Sequence, residues 1–173
     1  MIALPAITHF CFTTDDLQVS PLQQQHITLY EQLYCDEKLM AHIATPLNTE
    51  QAYRSFVSAL KLNAAMPAKR LFLVINAPDV DICQGLLGVS AVMSKPNCVE
   101  VGIMLLQPFH RSGMAQKALA GLCATVFSLL PNVTIIGKID PQNTAAKKLV
   151  AKLGFVYCSA TGCYNLQTGS FQV

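Results

Sequence analysis

A chain of 173 residues has room for one domain with a substantial core. Hydrophobic residues make up 52% of it and charged residues only 13%, with a net charge of +2. That charge is too small for a nucleic-acid surface, and no apolar run approaches the ~18–20 uninterrupted residues of a membrane-spanning helix. So apolar a composition hints at a further buried surface, such as a homodimer interface.

The start, Met1-Ile-Ala-Leu-Pro-Ala-Ile-Thr-His9, has no basic n-region, so no secretory signal is expected. Residues 2–13 read as a first strand, ended by Thr14-Asp15-Asp16. Pro21 to Leu33 carries Leu22, Ile27, Leu29, Tyr30 and Leu33 in a helix-like pattern. Cys35-Asp36-Glu37 interrupts it, and Leu39 to Ile43 predicts a short helical turn closed by Pro46. Thr49 reads as the N-cap of a helix running to about Asn63, with Ala52, Phe56, Ala59 and Leu60 on one face. Three strands follow: Arg70 to Asn76, Cys83 to Ser94 and Val99 to Leu106. They are separated by turns at Ala77 to Asp81 and Ser94 to Asn97, which predicts an antiparallel meander.

After a turn from Gln107 to Ser112, a helix begins near Gly113 and ends at Pro131-Asn132. Val133 to Ile139 is the next strand, so strand, helix and strand imply a parallel crossover. Asp140-Pro-Gln-Asn143 starts a second helix that stops at Gly154, the expected C-terminal glycine. Phe155 to Ser159 and Tyr164 to Val173 read as closing strands around Thr161-Gly162. The order β, helices, βββ, α, β, α, ββ predicts an α/β fold: one domain over residues 1–173, a mixed, mostly antiparallel sheet flanked by helices.

Seven cysteines, an odd number, lie at 11, 35, 83, 98, 123, 158 and 163 without a Cys-x-x-Cys pair. Free thiols in a reducing cytoplasm are the better reading than a disulfide frame or a metal site. His9, His26 and His42 are scattered without ligand spacing and read as ordinary surface or core residues.

The stretch from Glu100 to Leu119 carries the chemistry. A strand, a tight turn and a helix N-terminus make an anion-binding device. The first helical turn leaves backbone N–H groups unpaired, and the aligned peptide dipoles put partial positive charge at the same end. Gly113 allows close backbone approach, Ala115 keeps the next position small, and Arg111 adds a charge.

His110-Arg111-Ser112-Gly113-Met114-Ala115 resembles the acyl-CoA pyrophosphate loop of the GNAT superfamily of N-acetyltransferases, which reads Gln/Arg-x-x-Gly-x-Gly/Ala; His110 departs from it. A second element, Asn143-Thr-Ala-Ala-Lys-Lys-Leu-Val-Ala-Lys-Leu-Gly-Phe155, resembles the family's later helix. The likeness covers residues 70–160 well and the N-terminal part by layout, where the helix spacing resembles the ribosomal-protein-alanine acetyltransferase type. The resemblance implies the GNAT fold, acetyl-CoA as cosubstrate with no metal, and contacts to it from His110 through Ala115, with His110 either on a phosphate or simply exposed in the turn. It also places Met104 and Leu105 at a bulge whose amides face the thioester. Asn143 would either touch the pantetheine or cap its helix.

Glu100 is the only carboxylate between Asp81 and Asp140, inside an apolar strand. The family often places its general base on this strand, so Glu100 is the catalytic candidate; a solvent-facing structural glutamate is the other reading. The acid is missing from its usual place, because Val150 stands where a tyrosine is common and Ala146 where serine is. Two functions remain open: transfer of acetyl from acetyl-CoA to a primary amine (a small molecule or a protein N-terminus), or a catalytically weak acyl-CoA-binding or interaction protein on the same fold.

Overall fold

The computed structural model describes residues 2–78 and 82–171. The last three residues of the predicted 77–81 turn, and the ends of the chain at Met1, Gln172 and Val173, lie outside the described residues. Eight strands form one sheet: β1 (Phe12–Thr13), β2 (Gln18–Pro21), β3 (Arg70–Asn76), β4 (Cys83–Ala91), β5 (Cys98–Leu105), β6 (Thr134–Gly137), β7 (Val156–Cys158) and β8 (Cys163–Leu166). Their spatial order is β1-β2-β3-β4-β5-β6-β8-β7. Five helices accompany them: α1 (Ile27–Tyr34), α2 (Glu37–Met40), α3 (Thr49–Ala64), α4 (Met114–Leu129) and α5 (Thr144–Lys152).

The meander β3–β4–β5 is antiparallel, and β5–α4–β6 is the parallel crossover. β3 is buried on both faces, which is why its sequence is continuously apolar instead of alternating. Leu71, Leu73 and Ile75 pack on one side with Leu87, Val89, Val101 and, from α4, Ala118, Leu122 and Val126. Phe72 and Val74 point the other way, to Leu29, Tyr30 and Leu33 of α1 and Phe56 of α3. Asn63, at the end of α3, exchanges a pair of hydrogen bonds with the backbone of Phe72, at 2.8 and 2.9 Å, and so ties that helix to β3.

The N-terminal reading needs correction. Instead of one strand over 2–13 there is a single bridge at Leu4, a 3-10 turn at Ile7–Phe10 and the two-residue β1. Thr14 then makes the hairpin: its Oγ1 accepts from the N–H of Asp16 and Leu17, and its N–H donates to the Leu17 carbonyl. This returns the chain as β2, a strand the helix-like reading from Pro21 concealed. Pro21 is tolerated because β1 pairs only with Gln18 and Val19, so its missing N–H faces an open edge. The cap of α3 is Asn48, one residue before Thr49, in a reciprocal capping box with Gln51. After β8 the chain forms a 3-10 turn at Thr168–Ser170 where a longer strand was expected.

The seven cysteines, all among the described residues, form no disulfide. Burial on the inner face of α4 pushes the Cys123 thiol up to about 12, so it behaves as a small apolar side chain. Among the described residues no helix is long and apolar enough to cross a membrane, and no cluster of His, Cys, Asp and Glu could hold a metal.

Candidate active site

β5 and β6 pair over only three positions, Cys98–Thr134, Val99–Ile135 and Glu100–Ile136. Beyond Glu100 the two strands part, and a cleft of about 280 Å³ opens between them. Its walls bring together Glu100, Gly102 and Met104 of β5, Lys138 and Asp140 just after β6, and Asn143 at the head of α5.

Backbone geometry decides what β5 offers to this cleft. The Leu106 N–H bonds the Gln84 carbonyl on the β4 side. Along an antiparallel strand successive residues turn their backbone groups to opposite neighbours. Met104, Gly102 and Glu100 therefore bond toward β4, Val101 turns its N–H to the last paired position of β6, and Leu105 and Ile103 turn N–H and C=O toward the open side. The register from Gly85–Leu105 to Ala91–Val99 runs without a shift. The bulge expected at Met104 and Leu105 is thus absent: the regular ladder keeps the Met104 amide on β4, and the Leu105 and Ile103 backbones face the gap. Leu105 buries its side chain with α4.

The open side is closed at its end by His110, whose Nε2 lies 2.8 Å from the Leu105 carbonyl. The turn that follows sits next to the cleft, not within its lining. Arg111 has φ 62° and Gly113 φ 81°. Two left-handed residues so close make the chain double back and enter α4 with its N–H groups exposed. The Met114 N–H donates to Ser112 Oγ at 3.3 Å, whose hydroxyl donates to the Phe109 carbonyl at 2.7 Å. The N–H groups of Ala115 and Gln116 have no acceptor among the described residues. The head of α4 therefore leaves these two N–H groups without a protein acceptor among the described residues. Asn143 caps α5, its Oδ1 accepting from the Ala146 N–H at 3.0 Å, and it also faces the cleft; the two readings offered for it are compatible.

Charge in the cleft is arranged in pairs. Glu100 Oε2 lies 2.7 Å from Lys138 Nζ. That carboxylate raises the Lys138 pKa above its usual value by hydrogen bond and by charge. His42 Nδ1 lies 3.2 Å from Asp140 Oδ2 and so joins the segment after α2 to the β6–α5 loop across the mouth. Asp140 is held below the usual carboxylate range, first by the Gln142 N–H, which donates to its Oδ1 at 2.7 Å, and then by His42. Tyr34 stacks on Tyr30 with ring centroids 4.3 Å apart, and burial pushes its phenol well above the ordinary range, keeping it a neutral O–H donor.

Sequence reading missed Lys138, His42, Asp140 and Tyr34 as members of this site. Lys138 had a local signal, a lone charge in an apolar strand two residues past Ile136. His42 had none, because its partner is 98 positions away.

A mixed sheet whose central parallel strands splay beside an exposed helix N-terminus defines an acyl-CoA-dependent transferase architecture. The sequence matches the family model for the acetyltransferase (GNAT) domain over residues 16–156. The chain belongs to that family and so to the enzymes of acyl-CoA-dependent acetyl transfer. The fold is shared with an acetyltransferase from Agrobacterium tumefaciens str. C58: TM-score 0.76 at 18% identity, covering 97% of each chain. It is also shared with spermidine N-acetyltransferase from Vibrio cholerae, solved with CoA and spermine: TM-score 0.72 at 16% identity, covering 84% of each chain. Mycobacterium smegmatis RimJ, in complex with CoA-disulfide, is similar at TM-score 0.69 and 15% identity, over 83% of this chain and 71% of that one.

Proposed function

We propose that this protein is an N-acetyltransferase, one domain across residues 1–173, that moves acetyl from acetyl-CoA to a primary amine by direct attack on the thioester. The observation that carries the reading is the parting of β5 from β6 after Glu100, with the Val101 to Leu105 backbone edge leading to the free N–H groups of α4. An extended pantetheine can add to that edge as a strand would, and the Arg111 to Ala115 turn suits a pyrophosphate. His110 positions the turn by its bond to Leu105.

Acetyl-CoA supplies an activated acyl group and a thiol leaving group. The chain must supply a deprotonated amine and an oxyanion donor. An alkyl ammonium of ordinary pKa is mostly protonated near neutrality, so a base has to take its proton. Glu100 borders the gap and is assigned that role, directly or through one water. The Ile103 N–H, turned toward the open side, is the donor for the developing oxyanion. The departing thiolate takes its proton from solvent. Cysteines without disulfides suit a reducing cytoplasm. Exposed Val156 and Tyr157 on the edge strand β7 favour a homodimer paired there.

The test is thiol release from acetyl-CoA against a panel of primary amines, with acetylated product followed by mass spectrometry. Amine-dependent release supports the reading. CoA binding without it selects the alternative, a catalytically weak acyl-CoA-binding or interaction protein, which Val150 in the usual tyrosine place and the Lys138 clamp on Glu100 favour.

A further inference from the structure

The sheet face beside Glu100 carries a second recognition feature. Strand register places Arg70, Ser90 and Glu100 in one row across β3, β4 and β5, and Phe72, Gly88 and Gly102 in the next. All six line the cleft. Nothing lies within 4 Å of where a Cβ would stand on Gly88 or Gly102, so the second row is an open trough ending at the Phe72 ring. Over that ring, 4.9 Å from its centroid, sits the Arg70 guanidinium carbon.

The charges of the trough are unequal in their commitments. Glu100 is held by Lys138 and Asp140 by His42. Arg70 makes no hydrogen bond or ion pair among the described residues. A guanidinium is charged at every working pH and offers five N–H donors in a fork that matches a carboxylate. A polyamine would need the reverse arrangement, free carboxylates along the trough. Two strand spacings, roughly 10 Å, separate the β3 and β5 backbones, and the Arg70 guanidinium stays on the β3 side, over the Phe72 ring. The gap fits a molecule with a few atoms between amine and anion.

Resting on the acetyl-transfer reading above, we infer that the acceptor is a small amino carboxylate, its amine at Glu100 and its carboxylate on Arg70. Ser90, between them in the row, is the hydroxyl available to the linking atoms.

The probes are matched pairs, glycine with glycinamide and β-alanine with β-alaninamide, together with spermidine and the dipeptides Gly-Asp and Gly-Asn. In wild-type protein kcat/KM is expected to be roughly 10- to 100-fold higher for the carboxylate member of at least one amino-acid pair, the usual worth of a charged hydrogen-bonded contact. This is expected although the carboxamide's amine is the less basic and the more often neutral. Arg70→Gln should erase the gap and Arg70→Lys should restore part of it, with unchanged melting temperature certifying the fold. Faster turnover of the carboxamides or of spermidine overturns the inference, as does a gap that survives in R70Q. Discrimination confined to the dipeptides moves the acceptor to a peptide and overturns it too. If no amine is turned over, the acetyl-transfer reading fails separately. Saturation-transfer NMR of β-alanine against β-alaninamide, with CoA present, then decides the subsite: R70-dependent preference for the acid supports it, and equal binding overturns it.

Discussion

Glu100 and Lys138 face each other across the fork at which β5 and β6 separate, carboxylate oxygen to ammonium nitrogen at 2.7 Å. The last paired position on β5 is Glu100 itself, opposite Ile136, and Lys138 follows two residues later. The candidate base therefore stands where the strand edge becomes free, held in one orientation by a cation that is mostly in solvent. Lys138 is 62% exposed and Glu100 33%.

Replacing Glu100 by Gln keeps the shape and removes the basicity. It should lower kcat by roughly 10²- to 10⁴-fold, the usual worth of a general base. CoA affinity should hardly change, since the proposed cofactor contacts are backbone groups from 103 to 115. Wild-type rate should rise with pH through one ionisation that E100Q lacks. Near wild-type turnover with an unchanged profile would make Glu100 structural and leave catalysis to positioning and to amines that arrive deprotonated.

The same pair has a stability signature. The folded-state pKa of Lys138 is raised by Glu100. A raised pKa contributes stability that is whole below the unfolded value, about 10.4, and is lost as pH climbs through the folded value. Melting temperature should therefore fall more steeply above about pH 10 in wild type than in Lys138→Gln. Tyr34 also loses stability there, but equally in both proteins, so their difference isolates the pair. With so exposed a lysine the effect is small, under about 1 kcal/mol. Parallel melting curves for the two proteins through this range would remove Lys138 from the account.

What could be read in advance divides along sequence separation. The β3–β5 meander, α4 and its glycine-led turn, and α5 with its Asn143 cap each carry local signals: apolar runs, breakers, a capping residue. β2 carries almost none, because four residues with one buried valine and a terminal proline do not announce a strand; only pairing with β3 defines it. Glu100 stood out as a lone carboxylate, yet its partner lies 38 positions on, through α4. His42–Asp140 and the Arg70–Ser90–Glu100 row are likewise products of topology. The turn proposed for the cofactor is a continuous local motif, whereas the row proposed for the acceptor is assembled by register and leaves no local signal.

Gly154 tests the local half of that statement. It has φ 89°, and a Cβ there would stand 2.0 Å from the Ser170 carbonyl oxygen. Gly154→Ala pays for a left-handed conformation, about 1–2 kcal/mol, and must also displace backbone, about 1–3 kcal/mol by analogy with overpacking. A loss of at least about 2 kcal/mol in urea unfolding is expected. A loss under about 0.5 kcal/mol would mean that the 168–170 turn is free to move away.

Gly113 tests the cofactor half. Its φ of 81° is a conformation L side chains rarely adopt, but nothing lies within 4 Å of a Cβ built there. Gly113→Ala should thus cost only the backbone strain, about 1–2 kcal/mol of stability, and retain CoA binding. Gly113→Glu carries the same strain but places a carboxylate before the first turn of α4. There it is favourable to the helix, because it meets the positive end of the dipole and the unpaired N–H groups of Ala115 and Gln116. The mutant should consequently be no less stable than G113A. Those N–H groups are the ones proposed for the pyrophosphate, so the same carboxylate both occupies the donors and repels the ligand. Like charges about 4 Å apart near a protein surface differ by several kcal/mol. CoA affinity measured by calorimetry should fall at least about 100-fold in G113E and little in G113A. Equal affinity in the two variants would place the phosphates elsewhere, and with them the assignment of the 110–115 turn.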